Sequence, residues 1–287
     1  MRKIPQKLLI LIFIINFIVM ILEGTTAIDN SKTATINNQM EKNRLEAIKE
    51  KGEITVVSPL NDITYFYLDP KTNKISGIDA DIITEIAKRL GINKVEMKVS
   101  PFSDLLERLN TDDSIDISAG GIYITPKREE LVSFTEPLYK GPEAIVVPTF
   151  STINFKCDLK NAVVGVEKGT VFLNLAEEWK KSNLIKDIVI FDTSADLLNA
   201  INSNKVNAGI IDSVILKYSL LKDKNLILRM LKDYTPEVIG TVGIAVRKND
   251  TILLHAFNEK INEMKADGTL YAILVENGLD KTNMISN

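Results

Sequence analysis

Arg128 is the side chain whose place in the sequence points most directly to binding chemistry. Thr125 suits a helix N-cap and Pro126 suits the first helical position, so Arg128 falls in the first turn of a short helix. The helix macrodipole disfavours a cation there, and a bound anion, held by the guanidinium fork and the free N–H groups of the helix end, would explain the placement. The alternative is a surface arginine paired with Glu129 or Glu130, and this segment alone leaves both open.

A strand and a glycine pair come directly before this helix. Residues 115–118 form an apolar strand, and Gly120 and Gly121 follow it. Because glycine has no Cβ, a backbone or a ligand can approach closely at these two positions. Tyr123 stands between the glycines and the helix, so we expect its ring to face a ligand cleft.

Strand-like and helix-like segments alternate along the rest of the chain. One helix is expected to begin with Asp79 as its cap and to stop at Gly91. The alternation predicts an α/β fold with mainly parallel sheets. Gly141 and Pro142 break the pattern in its middle, and an extended stretch at 238–246 comes late. A fold of two lobes, between which the chain crosses twice, would fit these two features, and we would expect a ligand cleft between the lobes.

The N-terminus has the features of a secretory signal peptide. Three basic residues precede an apolar run at 8–22, and small residues in an A-x-A-like pattern follow it up to Ala27. We expect cleavage after Ala27, since a run of 15 residues is short for a membrane span. A retained N-terminal anchor is the alternative. Residues 28–44 are polar and are predicted to form a flexible lead-in.

Composition narrows the compartment and the partners. Cys157 is the only cysteine, so neither a lipobox cysteine nor a disulfide within the chain is expected, which fits a Gram-negative periplasm. Removal of residues 1–27 takes away three basic residues and one acidic residue and changes the formal charge from −3 to −5. No basic stripe is present, which argues against nucleic acid as a partner. His255 is the only histidine, so we expect no metal site and no other cofactor.

The order of these segments resembles one known family. The matching segments are GEITVV, GIDADIITEIAKRLGI, FSDLLERL, DISAGGIYITPKREELVSFTEPLY, DLKNAVVGVEKGT, NAGIID and GIAVRKND. Over roughly residues 45–278 the chain is similar to the type II periplasmic solute-binding proteins of polar amino-acid ABC importers, the solute-binding protein family 3.

The resemblance implies an architecture and a role. It implies an α/β fold of two lobes, joined by two hinge strands, that close over one small ligand. Lobe 1 would contain residues 45–140 plus 242–287, and lobe 2 residues 141–241. The protein would be a monomer with no catalytic residue. It would deliver a small zwitterion, an amino acid or a related molecule, to an ABC permease in the inner membrane.

The resemblance also implies roles for individual residues. By position, Arg128 matches the arginine that binds the ligand α-carboxylate, and Gly121 supplies a backbone contact beside it. Thr170, with Val171 beside it, matches the loop whose N–H groups meet the same carboxylate. Asp212 matches the acid that accepts the α-ammonium. The Arg128 guanidinium and the helix-end N–H groups would bind the carboxylate of the ligand, and the Asp212 carboxylate would bind its ammonium. We call this arrangement the zwitterion clamp.

Two departures from the family pattern affect the ligand. The family usually has Ser or Thr two residues after Gly121, where this chain has Tyr123. The family also usually has an acid shortly after the first strand, and here Asp62 is the acid that could take that role. The segment GGIYITPKREELVSFTEPLY also resembles the branch of the family that binds ectoine, a cyclic zwitterion. Phe102 matches the aromatic that packs on the ligand side chain, and with Tyr123, Tyr65 and Tyr67 it could form a cage for a delocalised cation.

Several of these residues have a purely structural alternative. Asp212 and Thr170 could be no more than helix caps, and Phe102 and one of the two tyrosines of 65–67 could belong to the core. An alternative function exists too, because the same fold resembles the cyclohexadienyl dehydratases, in which a cleft carboxylate is a general acid. Glu167 would be the candidate here. No second catalytic group accompanies it, so we do not expect an enzyme.

Overall fold

A computed structural model describes residues 43–59, 64–69 and 72–285 of the chain. The predicted signal peptide, nearly all of the predicted lead-in and Asp62 lie outside these ranges. Helices and strands alternate along the described part, which confirms the α/β prediction. Within it, no helix combines the length and the apolar character needed to cross a bilayer.

The bounds of the elements are as follows. The strands are β1 (Glu53–Pro59), β2 (Tyr67–Leu68), β3 (Ile75–Ser76), β4 (Lys94–Ser100), β5 (Ile117–Ser118), β6 (Ser133–Phe134), β7 (Tyr139–Pro148), β8 (Val163–Glu167), β9 (Asp187–Phe191), β10 (Ala208–Asp212), β11 (Leu228–Met230), β12 (Ile239–Val242) and β13 (Ala245–Val246). The helices are α1 (Arg44–Lys51), α2 (Ile78–Leu90), α3 (Leu105–Thr111), α4 (Pro126–Glu129), α5 (Val171–Lys181), α6 (Ser194–Asn202), α7 (Ser213–Lys222), α8 (Thr251–Ala266) and α9 (Thr269–Glu276).

Each lobe is built around one sheet, of five strands in the first lobe and of six in the second, where β12 also pairs with β7. In the first sheet the order is β4-β1-β5-β13-β6, and in the second it is β11-β7-β10-β8-β9. Strands β4, β1 and β5 are parallel, and so are β10, β8 and β9. The remaining pairs are antiparallel. The expectation of mainly parallel sheets was therefore wrong, because the strands that enter or leave a hinge run against their neighbours.

Helix α2 illustrates how the lobes bury their apolar faces. Ile82, Ile83 and Ile86 are all fully buried on one side of it, and each stabilises the fold by about 1.5–3 kcal/mol. Gly91 ends the helix in the left-handed conformation, with φ of 74°, as its position predicted. The start differs from the prediction, since Gly77 is the N-cap and Asp79 lies inside the first turn.

The two lobes are joined by a pair of antiparallel strands. Strand β7 pairs with β12 so that Gly141 lies opposite Gly240 and Tyr139 opposite Val242. Gly141 and Pro142 therefore do not break the pattern, as the sequence suggested, but lie inside one continuous strand. The exact lobe limits of 45–140 plus 242–287 and 141–241 stay a prediction.

Candidate functional site

A cavity of about 250 Å³ lies between the lobes, at the carboxyl ends of strands β1, β8 and β10. In open α/β sheets, ligand sites form in crevices at this edge. Eight of the nine predicted site residues line the cavity, and the ninth, Asp62, is outside the described residues. The eight are Arg128, Gly121, Tyr123, Phe102, Thr170, Val171, Asp212 and Tyr65.

Arg128 reaches both lobes. Its guanidinium donates one hydrogen bond to the carbonyl of Tyr123, at 2.7 Å, and one to the carbonyl of Gly169 in the second lobe, at 3.0 Å. The guanidinium carbon also lies 5.4 Å from the centre of the Phe102 ring. Burial lowers the pKa of Arg128 to about 10, which leaves it charged at neutral pH. Its remaining N–H groups are available to a carboxylate.

The local fold that holds Arg128 is the predicted one. Thr125 is the N-cap of α4, and its hydroxyl accepts a hydrogen bond from the Arg128 N–H at 3.3 Å. In the described part of the chain, no carboxylate lies within 4.0 Å of the guanidinium, so the expected alternative of a pair with Glu129 or Glu130 is absent. The charge is instead met by two carbonyl dipoles and the face of Phe102, which leaves the guanidinium able to bind an anion.

The start of α5 offers a second set of donors. Thr170 occupies the N-cap position, but its side chain does not cap the helix, because its hydroxyl donates to the Glu167 carbonyl at 2.8 Å. The first N–H groups of the helix, which begins at Val171, therefore have no side-chain acceptor. Together with Arg128 they can hold one carboxylate.

Asp212 is both a helix cap and a wall of the cavity. It ends β10, and its Oδ1 accepts a hydrogen bond from the Val214 N–H at 2.6 Å at the start of α7. Its Oδ2 accepts one from the Tyr123 hydroxyl at 2.7 Å. Burial raises the pKa of Asp212, whereas the hydroxyls of Tyr123 and Tyr65 oppose this rise. A ligand ammonium would complete the coordination of this buried carboxylate.

Tyr123 spans the hinge rather than standing free in the cleft. Its hydroxyl lies 2.8 Å from the Gly141 carbonyl in addition to its contact with Asp212. Its ring packs over Gly240, where an added Cβ would come within 1.8 Å of a ring carbon, and meets the Phe172 ring edge-on at 5.8 Å. The Tyr123 hydroxyl therefore contacts Asp212, the acid predicted to bind the ligand ammonium.

The predicted aromatic cage is only partly assembled. Tyr65 is buried, and its ring stacks on that of Tyr139 at 6.3 Å and packs against Gly121. One face of Phe102 is covered by the Arg128 guanidinium. Tyr67 does not line the cavity, and Tyr218 is its hydrogen-bond neighbour.

Asp79 does not line the cavity, but it holds the glycine pair of the cavity wall in place, a role that the sequence did not reveal. Its side chain is 1% exposed, and its Oδ2 accepts hydrogen bonds from the N–H groups of Gly120 and Gly121, both at 2.9 Å. Its Oδ1 accepts one from the Tyr139 hydroxyl at 2.6 Å. Burial raises its pKa. Because the Gly121 N–H is used in this way, the backbone contact predicted for Gly121 would have to come from its carbonyl.

Glu167 is the other buried acid of the cavity. It ends β8, is 9% exposed and accepts a hydrogen bond from the Ser194 hydroxyl at the start of α6. Burial raises its pKa to about 7, against a smaller lowering by Ser194. Over the described residues, no group of His, Cys, Asp and Glu side chains is arranged to hold a metal ion.

Comparison with known proteins adds independent information. The model of a family described as bacterial extracellular solute-binding proteins, family 3, matches residues 54–277. The histidine-binding periplasmic protein of Escherichia coli (strain K12) is 29% identical over 217 residues, covering 72% of this chain and 82% of that protein. The L-cystine-binding protein TcyJ of the same strain is 27% identical over 259 residues, covering 88% and 92%. Among solved structures, an ancestral arginine-binding protein bound to arginine has a TM-score of 0.71 and 28% identity, covering 79% and 98%.

Proposed function

The chain belongs to the bacterial extracellular solute-binding proteins of family 3, and we propose that it captures an amino acid for an ABC importer. The similar proteins described above bind histidine, cystine or arginine by name, which supports an amino acid as the ligand class. The two lobes would close over the ligand and present it to a membrane permease. No bond in the ligand is made or broken.

One observation carries this proposal, namely that donors and an acceptor face the same cavity. Arg128 and the uncapped start of α5 supply donors for a carboxylate. Asp212 supplies a buried acceptor for an ammonium. An α-amino acid has these two charges on one carbon, so a single small ligand can use both ends of the clamp.

We propose that the protein acts in the periplasm as a monomer and docks on a permease of the inner membrane. The predicted signal peptide supports export, and the name of the histidine-binding relative, a periplasmic protein, supports the compartment. Fractionation of cells that express the chain would test the location, and release without detergent would be expected. Recovery only with the membranes would instead favour the retained anchor.

A thermal-shift screen of the purified protein against the common amino acids tests the ligand class. A ligand present at 100 times its Kd should stabilise the fold by about 2.7 kcal/mol, or roughly 5–10 °C for a chain of this size. Ectoine and betaines belong in the same screen, because a response to them alone would favour the aromatic-cage alternative. The covered face of Phe102 and the position of Tyr67 argue against that cage.

The dehydratase alternative can be tested directly with prephenate and arogenate. Glu167 has the raised pKa of a general acid, but its partner is a serine hydroxyl, and no second acid or base of the described residues contacts it. We therefore expect no product after an hour with micromolar protein. Measurable turnover that depends on Glu167 would overturn the binding-protein proposal.

A further inference from the structure

The cavity extends well beyond the zwitterion clamp. Its inner wall continues into the second lobe between α6 and α7, and we call this part the lobe-2 branch. The residues that line it are Glu167, Ser194, Leu198, Asn199, Ser219 and Asp223. Ser194 and Leu198 lie one turn apart on α6, and Ser219 on α7 lies one turn before its C-cap Asp223, so each helix presents one side to the branch. An α-carboxylate and an α-ammonium held at the clamp would leave this branch to the ligand side chain.

Glu167 lines the lobe-2 branch, and its surroundings are unusual for a carboxylate. It is 9% exposed, and the Ser194 hydroxyl is its one hydrogen-bond donor among the described residues. No cationic side chain in this part of the chain forms an ion pair with it. A buried carboxylate with a single hydroxyl partner has acceptor capacity left over, and burial without further donors is costly.

The charges around the cavity are also unbalanced. Of the described residues that line it, Arg128 is basic, and Glu167, Asp212 and Asp223 are acidic. An α-amino acid with a neutral side chain is a zwitterion and would leave this excess of acid in place. A ligand with one additional positive charge would reduce it, and Glu167 is the buried acid of the lobe-2 branch, where the lower effective dielectric constant strengthens its attraction for a cation.

We propose that the bound amino acid has a cationic side chain, and that Glu167 with the Ser194 hydroxyl binds its terminal ammonium, guanidinium or imidazolium in the lobe-2 branch. This inference rests on the proposed function, because it assumes that the α-amino and α-carboxylate groups occupy the clamp. Glu167 would then set the preference for a basic side chain. Arg128 and Asp212 would bind the α-carboxylate and the α-ammonium, which all amino acids have in common.

Other charged groups surround Glu167 and have to be separated from it experimentally. Asp223 is exposed, so solvent screens its charge. The charged residues that line the cavity or flank Glu167 and Ser194 in the chain are Arg128, Lys168, Asp192, Asp196, Asp212 and Asp223. Asp192 is the matched control among them, since it is an exposed acid two positions before Ser194 and does not line the cavity.

Calorimetric titration with paired ligands tests the assignment. Arginine is compared with citrulline, and lysine with norleucine, because each pair differs chiefly in the terminal charge. The cationic member of at least one pair should bind at least about tenfold more tightly to the unmodified protein. Glu167→Gln should remove roughly 10- to 100-fold of that preference, the effect of one charged hydrogen bond. Asp192→Asn should change it by less than about threefold.

A second readout does not depend on any variant. With its pKa near 7, Glu167 is about half protonated at pH 7, and a bound cation should release up to about half a proton. The apparent enthalpy should therefore differ between phosphate and Tris buffers for the cationic ligand and not for its neutral partner. Equal release by both members of a pair, or none by either, would overturn the inference.

The outcomes separate this inference from the proposal on which it rests. Equal affinity for charged and neutral partners, a preference that survives Glu167→Gln, or an equal loss in Asp192→Asn would overturn the assignment while amino-acid binding stands. Failure of every amino acid to bind would overturn the proposed function itself. Melting curves of both variants establish that they are folded before they are compared.

Discussion

Replacing Arg128 with alanine should weaken amino-acid binding while leaving the protein folded. The guanidinium touches two carbonyls, on Tyr123 and Gly169, and the Phe102 ring, and it belongs to no described ion pair. Its loss therefore removes hydrogen bonds and a charge from the cavity wall but leaves no buried acid without a partner. The main consequence falls on the ligand carboxylate, which keeps only the N–H groups of α5.

The size of the effect follows from the kind of contact. A hydrogen bond between charged groups contributes about 1.5–3 kcal/mol, so Kd should rise roughly 10- to 100-fold. It should rise further if the carboxylate stays buried without a partner. Arg128→Lys keeps the charge but not the planar fork, and it should fall between the alanine variant and the unmodified protein.

Calorimetry with the amino acid found by the screen would measure these affinities. Arg229→Ala is a matched control, because Arg229 also holds backbone carbonyls, those of Thr149, Ser151 and Ile153, but does not line the cavity. It should leave the affinity unchanged. An unchanged affinity in Arg128→Ala, or an equal loss in both variants, would refute the role given to Arg128.

Three further predictions concern Glu167, which lines the cavity, and Gly240 and Asp79, which pack behind residues that line it. Gly240→Ala places a methyl group 1.8 Å from the ring of Tyr123, so it should lower the free energy of unfolding by about 1–3 kcal/mol and weaken the ligand; an unaltered urea midpoint would contradict this packing. Asp79→Ala leaves two buried glycine N–H groups without their acceptor and should cost roughly 1–3 kcal/mol in the same assay, whereas a neutral result would mean that the loop is held otherwise. Because the pKa of Glu167 is raised to about 7 in the folded protein, the unliganded protein should lose up to about 3 kcal/mol of stability between pH 4.5 and 7. Glu167→Gln should flatten that part of the pH profile. If the substitution does not alter the profile, Glu167 is not the cause of the loss of stability.

Much of the candidate site could be predicted because its signals are local. Thr125, Pro126 and Arg128 lie within four positions of one another, and N-cap chemistry depends on just such neighbours. The same holds for the end of α2 at Gly91. The order of several such segments, taken together, was enough to indicate the family and its two-lobed fold.

The parts that could not be predicted depend on contacts between distant segments. Asp79 has the sequence signature of a helix cap, but its carboxylate accepts a hydrogen bond from the N–H group of Gly120, 41 positions later. Gly141 and Pro142 look like a break, yet β12 pairs with them across the hinge and makes the strand continuous. Local pattern contains no information about either partner.

The sequence by itself determined where α4 begins and that an arginine stands in its first turn, since backbone propensity and capping act over a few residues. Only the tertiary structure decided that the Tyr123 hydroxyl meets Asp212, 89 positions away, and that Glu167 is buried beside Ser194. The physical reason is that hydrogen-bond partners and desolvation, which set the chemistry of a buried acid, depend on which segments the fold packs together.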